Sequence, residues 1–594
     1  MPPPPLRPVL RCVSPVRRLN ITLLVVGFVM SVFAARLVQL QGLESSKIST
    51  DAVQQRVKRI PIEAVRGSII SSNGTVLAMT VQTATVIADP VLIPVRLRPQ
   101  VAAELAGPLG QPATTVLSKL NHPSSPQYMV LATGVSQTAA NHIQALGPAG
   151  ITLQPSYARE YPDGNLAADI VGFTNTDPQG TLAGQAGLEQ EYNPLLAGRN
   201  GSEEMELGTD NEPIPLTAVK VTQVVPAKNL RLTINSDIQY EAEQVCEERV
   251  IKYHARNCSI VVMQPHTGAI LAMAQWPTYN PSDVTSVAAT TNISTNNVFA
   301  PGSTLKSITV AAALEQGGQT PMSAYTIPYE IRIDNQFTFH DAELHPTVRY
   351  TIAGILAHSS NVGMVQVVQH IKPQQQYDYM RAFGLGSPSG LGLPGESPGL
   401  VPKPGTPGYW GDDPFEFSFG QGVGVTAIQM ASVYATIANG GIRVQPTLVA
   451  GTTSSTGAFT PAPRPAQRRV IQAGTAKDLM TILQQVPEVD AQAGEPWGLI
   501  RGYPVAAKTG TAQVSDPSKN KCALCQYGSS YIGIAPADNP QLVVAVNVQD
   551  PQGPNFFGDE VAGPAFYDVM HFALQTLKIP PGSAKTPYIR LTAP

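Results

Sequence analysis

A chain of 594 residues is longer than one hydrophobic core usually organises, so two or more domains are the starting expectation. Its 43% hydrophobic and 14% charged residues describe a globular chain and exclude a disordered or fibrous one. A net charge of -3 and only 6% aromatic residues supply neither a field nor a stacking platform for nucleic acid.

The first element is apolar. Positions 19–35 read LNITLLVVGFVMSVFAA without a charge, which is the short end of a membrane span. Leu37, Val38 and Leu40 extend it to 41 when Arg36 snorkels. Arg7, Arg11, Arg17 and Arg18 precede it, so the positive-inside rule places residues 1–18 in the cytoplasm. A cleaved signal peptide is the alternative, because Val32-Phe33-Ala34 resembles a cleavage site, yet the run outlasts the usual apolar region. The expectation is a single-pass protein of the cell membrane with the rest of its chain outside the cytoplasm.

Residues 42–225 are mixed, with no repeat or heptad. A strand-like run at 80–87 (TVQTATVI) stands among turn clusters, and 90–99 and 107–112 read as loops. A boundary falls near Pro226-Ala227-Lys228, ahead of a strand at 229–234 (NLRLTI). Ser236–Tyr253 reads as a helix, with Asp237 early and Lys252 late. Strands follow at 259–263 and 269–274 around Pro265-His266-Thr267-Gly268, and again at 531–535 and 542–548 around Asp538-Asn539-Pro540. Helical stretches at 304–315, 350–357 and 426–438 lie between the two strand groups. Strands at both ends with helices inserted give an α+β domain over 226–580, with 581–594 left as a tail.

With Cys12 ahead of the span, Cys246, Cys258, Cys522 and Cys525 form an even, exported set. Four cysteines allow three pairings, and spacing does not choose among them. A local disulfide between Cys522 and Cys525 is the expectation; free thiols or half a zinc site are the alternatives, though no second CxxC exists.

Three short motifs carry the chemistry. Ser303-Thr304-Leu305-Lys306 places a hydroxyl and an amine three apart, side by side if the serine opens a helix. Burial would strip the lysine of its charge and make it a base near neutral pH, and the helix start offers N–H groups to an oxyanion. Ser359-Ser360-Asn361 brings a hydroxyl and an amide to the end of a helical stretch, able to relay a proton and hold a carbonyl. Lys508-Thr509-Gly510-Thr511 follows a strand-like Val505-Ala506-Ala507, where an extended substrate can pair and a lysine attract its carboxylate. Each alone has an ordinary reading as a surface helix, a capped helix end or an edge strand.

In the order SxxK, SxN, KTG the three resemble the signature of penicillin-binding proteins and class A β-lactamases. The resemblance widens through Thr267-Gly268-Ala269-Ile270-Leu271-Ala272-Met273, Ser418-Phe419-Gly420-Gln421-Gly422, Tyr531-Ile532-Gly533 and Ala535-Pro536. In the first half, Arg66-Gly67-Ser68-Ile69 with Asn73-Gly74, and Gly187-Leu188-Glu189 with Tyr192, resemble the dimerisation-type pedestal of class B members. Ser71-Ser72 departs from the Asp-Arg usual there. Arg36-Leu37-Val38-Gln39-Leu40-Gln41 and Gly395-Glu396 look more like the cell-division branch than the elongation branch.

The resemblance implies a transpeptidase fold, an antiparallel sheet flanked by helices with an all-helical subdomain, acting on peptidoglycan stem peptides and acylated by β-lactams. It implies Ser303 as nucleophile, Lys306 as base, Ser359 and Asn361 positioning the leaving amine and the peptide, Lys508 and Thr509 holding a carboxylate. Thr511, after Gly510, would give its N–H to the oxyanion hole. No metal or organic cofactor is implied. A glycosyltransferase and divisome membrane proteins are the implied partners. Elongation-type synthesis, a hydrolytic carboxypeptidase or β-lactamase, and a non-catalytic β-lactam sensor or scaffold are the rival readings. His340 and His345 (HDAELH) lack zinc-protease spacing and read as a solvated loop, His358 as surface or packing, Trp276 as core; Trp410 fits either the groove or the core.

Overall fold

The computed structural model describes residues 14–47, 57–176, 181–206, 220–286, 290–514, 526–582 and 585–594. The Cys522–Cys525 pair lies outside them. The chain falls into two compact units, Met1–Ala64 with Arg199–Val225, and Val65–Gly198 with Pro226–Pro594.

In the first unit, helix Pro15–Val38 runs on as a wider turn over Gln39–Leu43. None of its residues is buried, and among the described residues it is the one helix long and apolar enough to cross a membrane. Arg36 reaches forward along the chain, donating from Nη1 to Gln39 Oε1 at 2.8 Å. Strands Val57–Ile62, Gly201–Glu206 and Lys220–Thr222 form a small antiparallel sheet.

In the second unit the long strand Val76–Ala88 follows the short Ile69–Ile70 and pairs antiparallel with it, with Met129–Ser136 and with Ile151–Glu160. Helix Arg98–Leu109 packs Val101, Ala102 and Leu105 into the core of this sheet and takes up only the inner ends of the two expected loops, residues 98–99 and 107–109. Pro99 sits in the first turn, where no N–H is needed, Pro108 lies within the last turn, and Gly110 closes the helix at φ 61°. Arg66 and Arg159 grip Glu189 at 2.6 and 2.7 Å, all three side chains being buried, so the two resemblance motifs of this half meet in one ion cluster. At the departing position, the Ser71 hydroxyl is buried and accepts from Thr75 N at 2.9 Å, closing the turn locally.

Five strands build the later part as one antiparallel sheet in the order Ile270–Trp276, Asn257–Met263, Leu542–Gln549, Gln526–Ala535, Ala506–Val514. Their near-continuous apolar runs fit a sheet covered on both faces. Alternation sends Val261, Met263, Ile532 and Val543 to one core and Ile260, Val262, Tyr531 and Val544 to the other. The second core is closed by helices Ser236–Tyr253 and Gly563–Thr576, the first by Lys306–Gln316 and Ala427–Ala438. Asn235 caps the 236–253 helix through bonds from Asp237 N and Ile238 N. Cys246 on that helix is disulfide-bonded to Cys258 on the next strand.

Two expected helices begin differently. The 304–315 stretch starts as a tight 3-10 turn, Gly302–Leu305, before Lys306–Gln316. The 350–357 stretch splits into strand Val348–Thr351 and helix Ile352–Ala357, because Thr351 leaves the sheet to cap the helix, its hydroxyl accepting from Gly354 N.

Candidate active site

Three chain segments far apart in sequence meet at the end of the first core. Ser303 lies half-buried in the Gly302–Leu305 turn, one turn ahead of Lys306. Gly302 adopts φ 54°, donates its N–H to Gly420 O at 3.0 Å, and leaves no room for a Cβ, which would stand 2.8 Å from Thr511 O. Gly420 is as tightly constrained, its Cβ position lying 2.0 Å from Gly302 O. The 418–422 motif therefore holds the turn from one side. Tyr434 holds it from another, donating to Thr304 O at 2.9 Å.

Lys306 is fully buried. Its Nζ donates to Ser359 O, to Asn361 Oδ1 at 2.7 Å and to Ser359 Oγ at 3.3 Å. Burial first, and the nearby Lys508 charge second, push its pKa well below the usual lysine value, with Asp341 opposing. A neutral amine has two N–H groups and one lone pair. Ser359 O and Asn361 Oδ1 take the two hydrogens, which leaves the lone pair for a hydroxyl proton.

Ser359 sits between the two lysines. Lys508, also fully buried, donates to Ser359 Oγ at 3.0 Å and to Thr509 O and Oγ1 at 3.2 and 3.3 Å. Burial lowers its pKa as well, against the raising influence of Asp490 and Asp559. Ser359 takes the left-handed conformation, φ 57°, which a non-glycine residue keeps only where its surroundings fix it. Lys508 belongs to Ala506–Val514, an end strand of the sheet. Gly510 has no space for a side chain beside Pro301 O at 2.9 Å, so the strand lies against the Ser303 turn. Thr511 Oγ1 accepts from Gly558 N at 3.0 Å.

All six residues of the expected catalytic set thus lie in one cluster, with Thr509 and Gly510 on the same strand. Asp341 was not among them. Far from a solvated loop, it is buried, accepts from Ser360 Oγ at 2.8 Å and Val362 N at 2.9 Å, and pairs with His345 Nε2 at 2.9 Å. Asp341 thereby fixes the turn on which Asn361 stands, while Asn361 Nδ2 donates to His340 O at 3.3 Å. A single acid in a polar hairpin has no periodic signature; the one available hint was its place shortly before Ser359. No group of three or more metal-ligating side chains occurs among the described residues. Trp410 is exposed, Trp276 packs partly buried on the second core, and His358 stacks on Tyr350.

A family model described as the penicillin binding protein transpeptidase domain matches residues 258–571, and one for the penicillin-binding protein dimerisation domain matches 61–232. Penicillin-binding protein PbpB of Mycolicibacterium smegmatis is 32% identical over 95% of this chain and 91% of its own length. Peptidoglycan D,D-transpeptidase FtsI of Escherichia coli is 30% identical over 93% and 90%. Among solved structures, a peptidoglycan synthetase from Bifidobacterium adolescentis superposes with TM-score 0.72 at 30% identity, covering 91% of this chain and all of that one. Penicillin binding protein 3 from Mycobacterium tuberculosis, complexed with aztreonam, gives 0.68 at 28%, covering 90% and 100%. Fold, site and likeness along nearly the whole chain agree: the protein belongs to the penicillin-binding protein family, with a dimerisation domain ahead of a transpeptidase domain.

Proposed function

We propose that this protein is a membrane-anchored peptidoglycan D,D-transpeptidase of the septal, class B type, working through an acyl-enzyme on Ser303. The observation that carries the reading is the buried Lys306 amine, bonded to Ser359 and Asn361 while Lys508 shares the same Ser359 hydroxyl. Ser303 Oγ attacks the carbonyl between the two terminal D-alanines of a stem peptide, and its proton passes to Lys306. The backbone N–H groups of Ser303 and Thr511 receive the oxyanion. As the C–N bond breaks, the proton travels by Ser359 to the leaving D-alanine amine, with Asn361 holding the peptide. Lys508 and Thr509 hold the substrate's terminal carboxylate. An amine of a neighbouring strand then attacks the ester, giving the cross-link and free Ser303. A β-lactam also acylates Ser303: its ring C–N bond opens, the amine stays tethered to the acyl group, and the resulting ester is not resolved.

Arg17 and Arg18 at the start of the anchor helix support a cytoplasmic N-terminus and an extracytoplasmic catalytic domain. The anchor and the 42–225 region are the surfaces for a glycosyltransferase and divisome proteins. Ser303→Ala should abolish covalent labelling by fluorescent penicillin while its thermal transition stays close to that of the unmodified protein; labelling of that variant at the normal rate would reject the assignment. Depletion in the host should give filaments or chains without septa, whereas rounded cells with normal septa would place the protein in elongation instead.

A further inference from the structure

The segment just before the last residue is not a loose tail. Ile589 and Leu591 pack against the first core, alternating with exposed Tyr588, Arg590 and Thr592, the pattern of a half-buried strand. Its backbone joins strand Val348–Thr351: Thr351 N donates to Leu591 O at 2.9 Å, and Ala593 N donates to Arg349 O at 2.9 Å. The Thr351 hydroxyl donates to Arg590 O at 2.7 Å while accepting from Gly354 N at 3.1 Å, so one side chain ties the segment to the first turn of helix Ile352–Ala357. Gly354 exists for this contact, since a Cβ there would stand 2.0 Å from Leu591 O.

That helix has six residues and ends at the site. His358 follows it and stacks at 4.7 Å on Tyr350, the residue bridged to Thr592. Ser359 comes next, in its left-handed conformation between the lysines. Both ends of a helix less than two turns long are thus referred to the same strap, and only that helix and His358 separate Thr351 from Ser359.

We propose that residues 587–593 form a strap that sets the position of Ser359 through the 352–357 helix, making Leu591 and Thr351 positioning residues for acylation. The inference rests on the reading of Ser359 as partner of Lys306 and Ser303. A displacement of about 1 Å in a reacting geometry is enough for large losses in rate, and it acts on the chemical step more than on prior binding.

The test uses two variants of the full chain. Gly354→Ala pushes on the strap while favouring the helix it stands in, and Leu591→Asp removes the strap's apolar anchor. Acylation by fluorescent penicillin, followed over a concentration series, separates non-covalent affinity from the acylation rate constant. Both variants should lose about tenfold or more in the rate constant, in line with a small misplacement. Affinity should change little, and Leu591→Met should restore the unmodified rate. Hydrogen exchange should show faster opening at 589–593 in both. Unmodified rate constants in variants whose strap is released would overturn the inference, as would losses no larger than the unfolded fraction by thermal melting. If Leu591→Asp fails to fold, Gly354→Ala decides alone. Absence of labelling at Ser303 in the unmodified protein would instead reject the site reading beneath it.

Discussion

Lys306→Ala should slow acylation by penicillin about 10²- to 10⁴-fold, the span associated with loss of a positioned general base. The amine is fully buried and its hydrogens are committed to Ser359 O and Asn361 Oδ1, so in the proposed mechanism its lone pair, one turn from Ser303, accepts the proton. Alanine leaves Ser303 to a water without that orientation. The sign of the pH dependence follows from the same burial. Because the lysine pKa is pushed below its usual value, the neutral base persists to lower pH than an ordinary lysine would allow, and acylation should fall as pH drops through the lowered pKa. Lys306→Arg separates charge from basicity. A guanidinium keeps a donor and a positive charge but stays protonated throughout the working range, so that variant should remain slow at every pH tested. A time course of fluorescent penicillin labelling between pH 6 and 10 reads both effects. Recovery of the arginine variant toward the unmodified rate would show that Lys306 acts through its charge alone.

What the sequence discloses and what it hides follow from how local each feature is. Ser303 with Lys306, Ser359 with Asn361, and Lys508 with Thr511 are each separated by two or three positions, so short motifs name them. The buried strands announce themselves as apolar runs. Helix Ser236–Tyr253 carries Asp237 in its first turn and Lys252 in its last, both short-range signals. The partners that hold those motifs in place come from elsewhere. Asp341 precedes Ser360 by 19 positions in a polar hairpin, and only the fold turns its carboxylate onto the Ser360 hydroxyl. Gly420 is visible as a motif residue, but its reason is the Gly302 carbonyl against it. The strap of 587–593 is hidden for the same cause, since its pairing with Arg349 and Thr351 spans some 240 residues. The 90–99 stretch is turn and 3-10 up to Leu97, but the helix that starts at Arg98 and Pro99 is not read from the sequence, because its apolar face is only Val101, Ala102 and Leu105.

Replacing both Cys246 and Cys258 with alanine should lower unfolding stability by a little under 3 kcal/mol, the value of about 3 kcal/mol belonging to a 15-residue loop. The ring here is smaller, with a sequence separation of 12. Cysteine pairing could not be chosen from four thiols, but the fold settles this one: the helix carrying Cys246 packs on the strand carrying Cys258, and both residues are fully buried. The bridge joins elements of the second core, on the sheet face away from the helix that follows Ser303. Its loss should therefore reduce stability without slowing acylation of the folded protein. In urea the midpoint should fall while penicillin labelling below the transition keeps its rate. Peptide mapping of unreduced, alkylated protein should give one linked Cys246–Cys258 peptide. An unchanged urea midpoint in the double alanine variant would show that the bridge constrains nothing the helix–strand packing does not already hold.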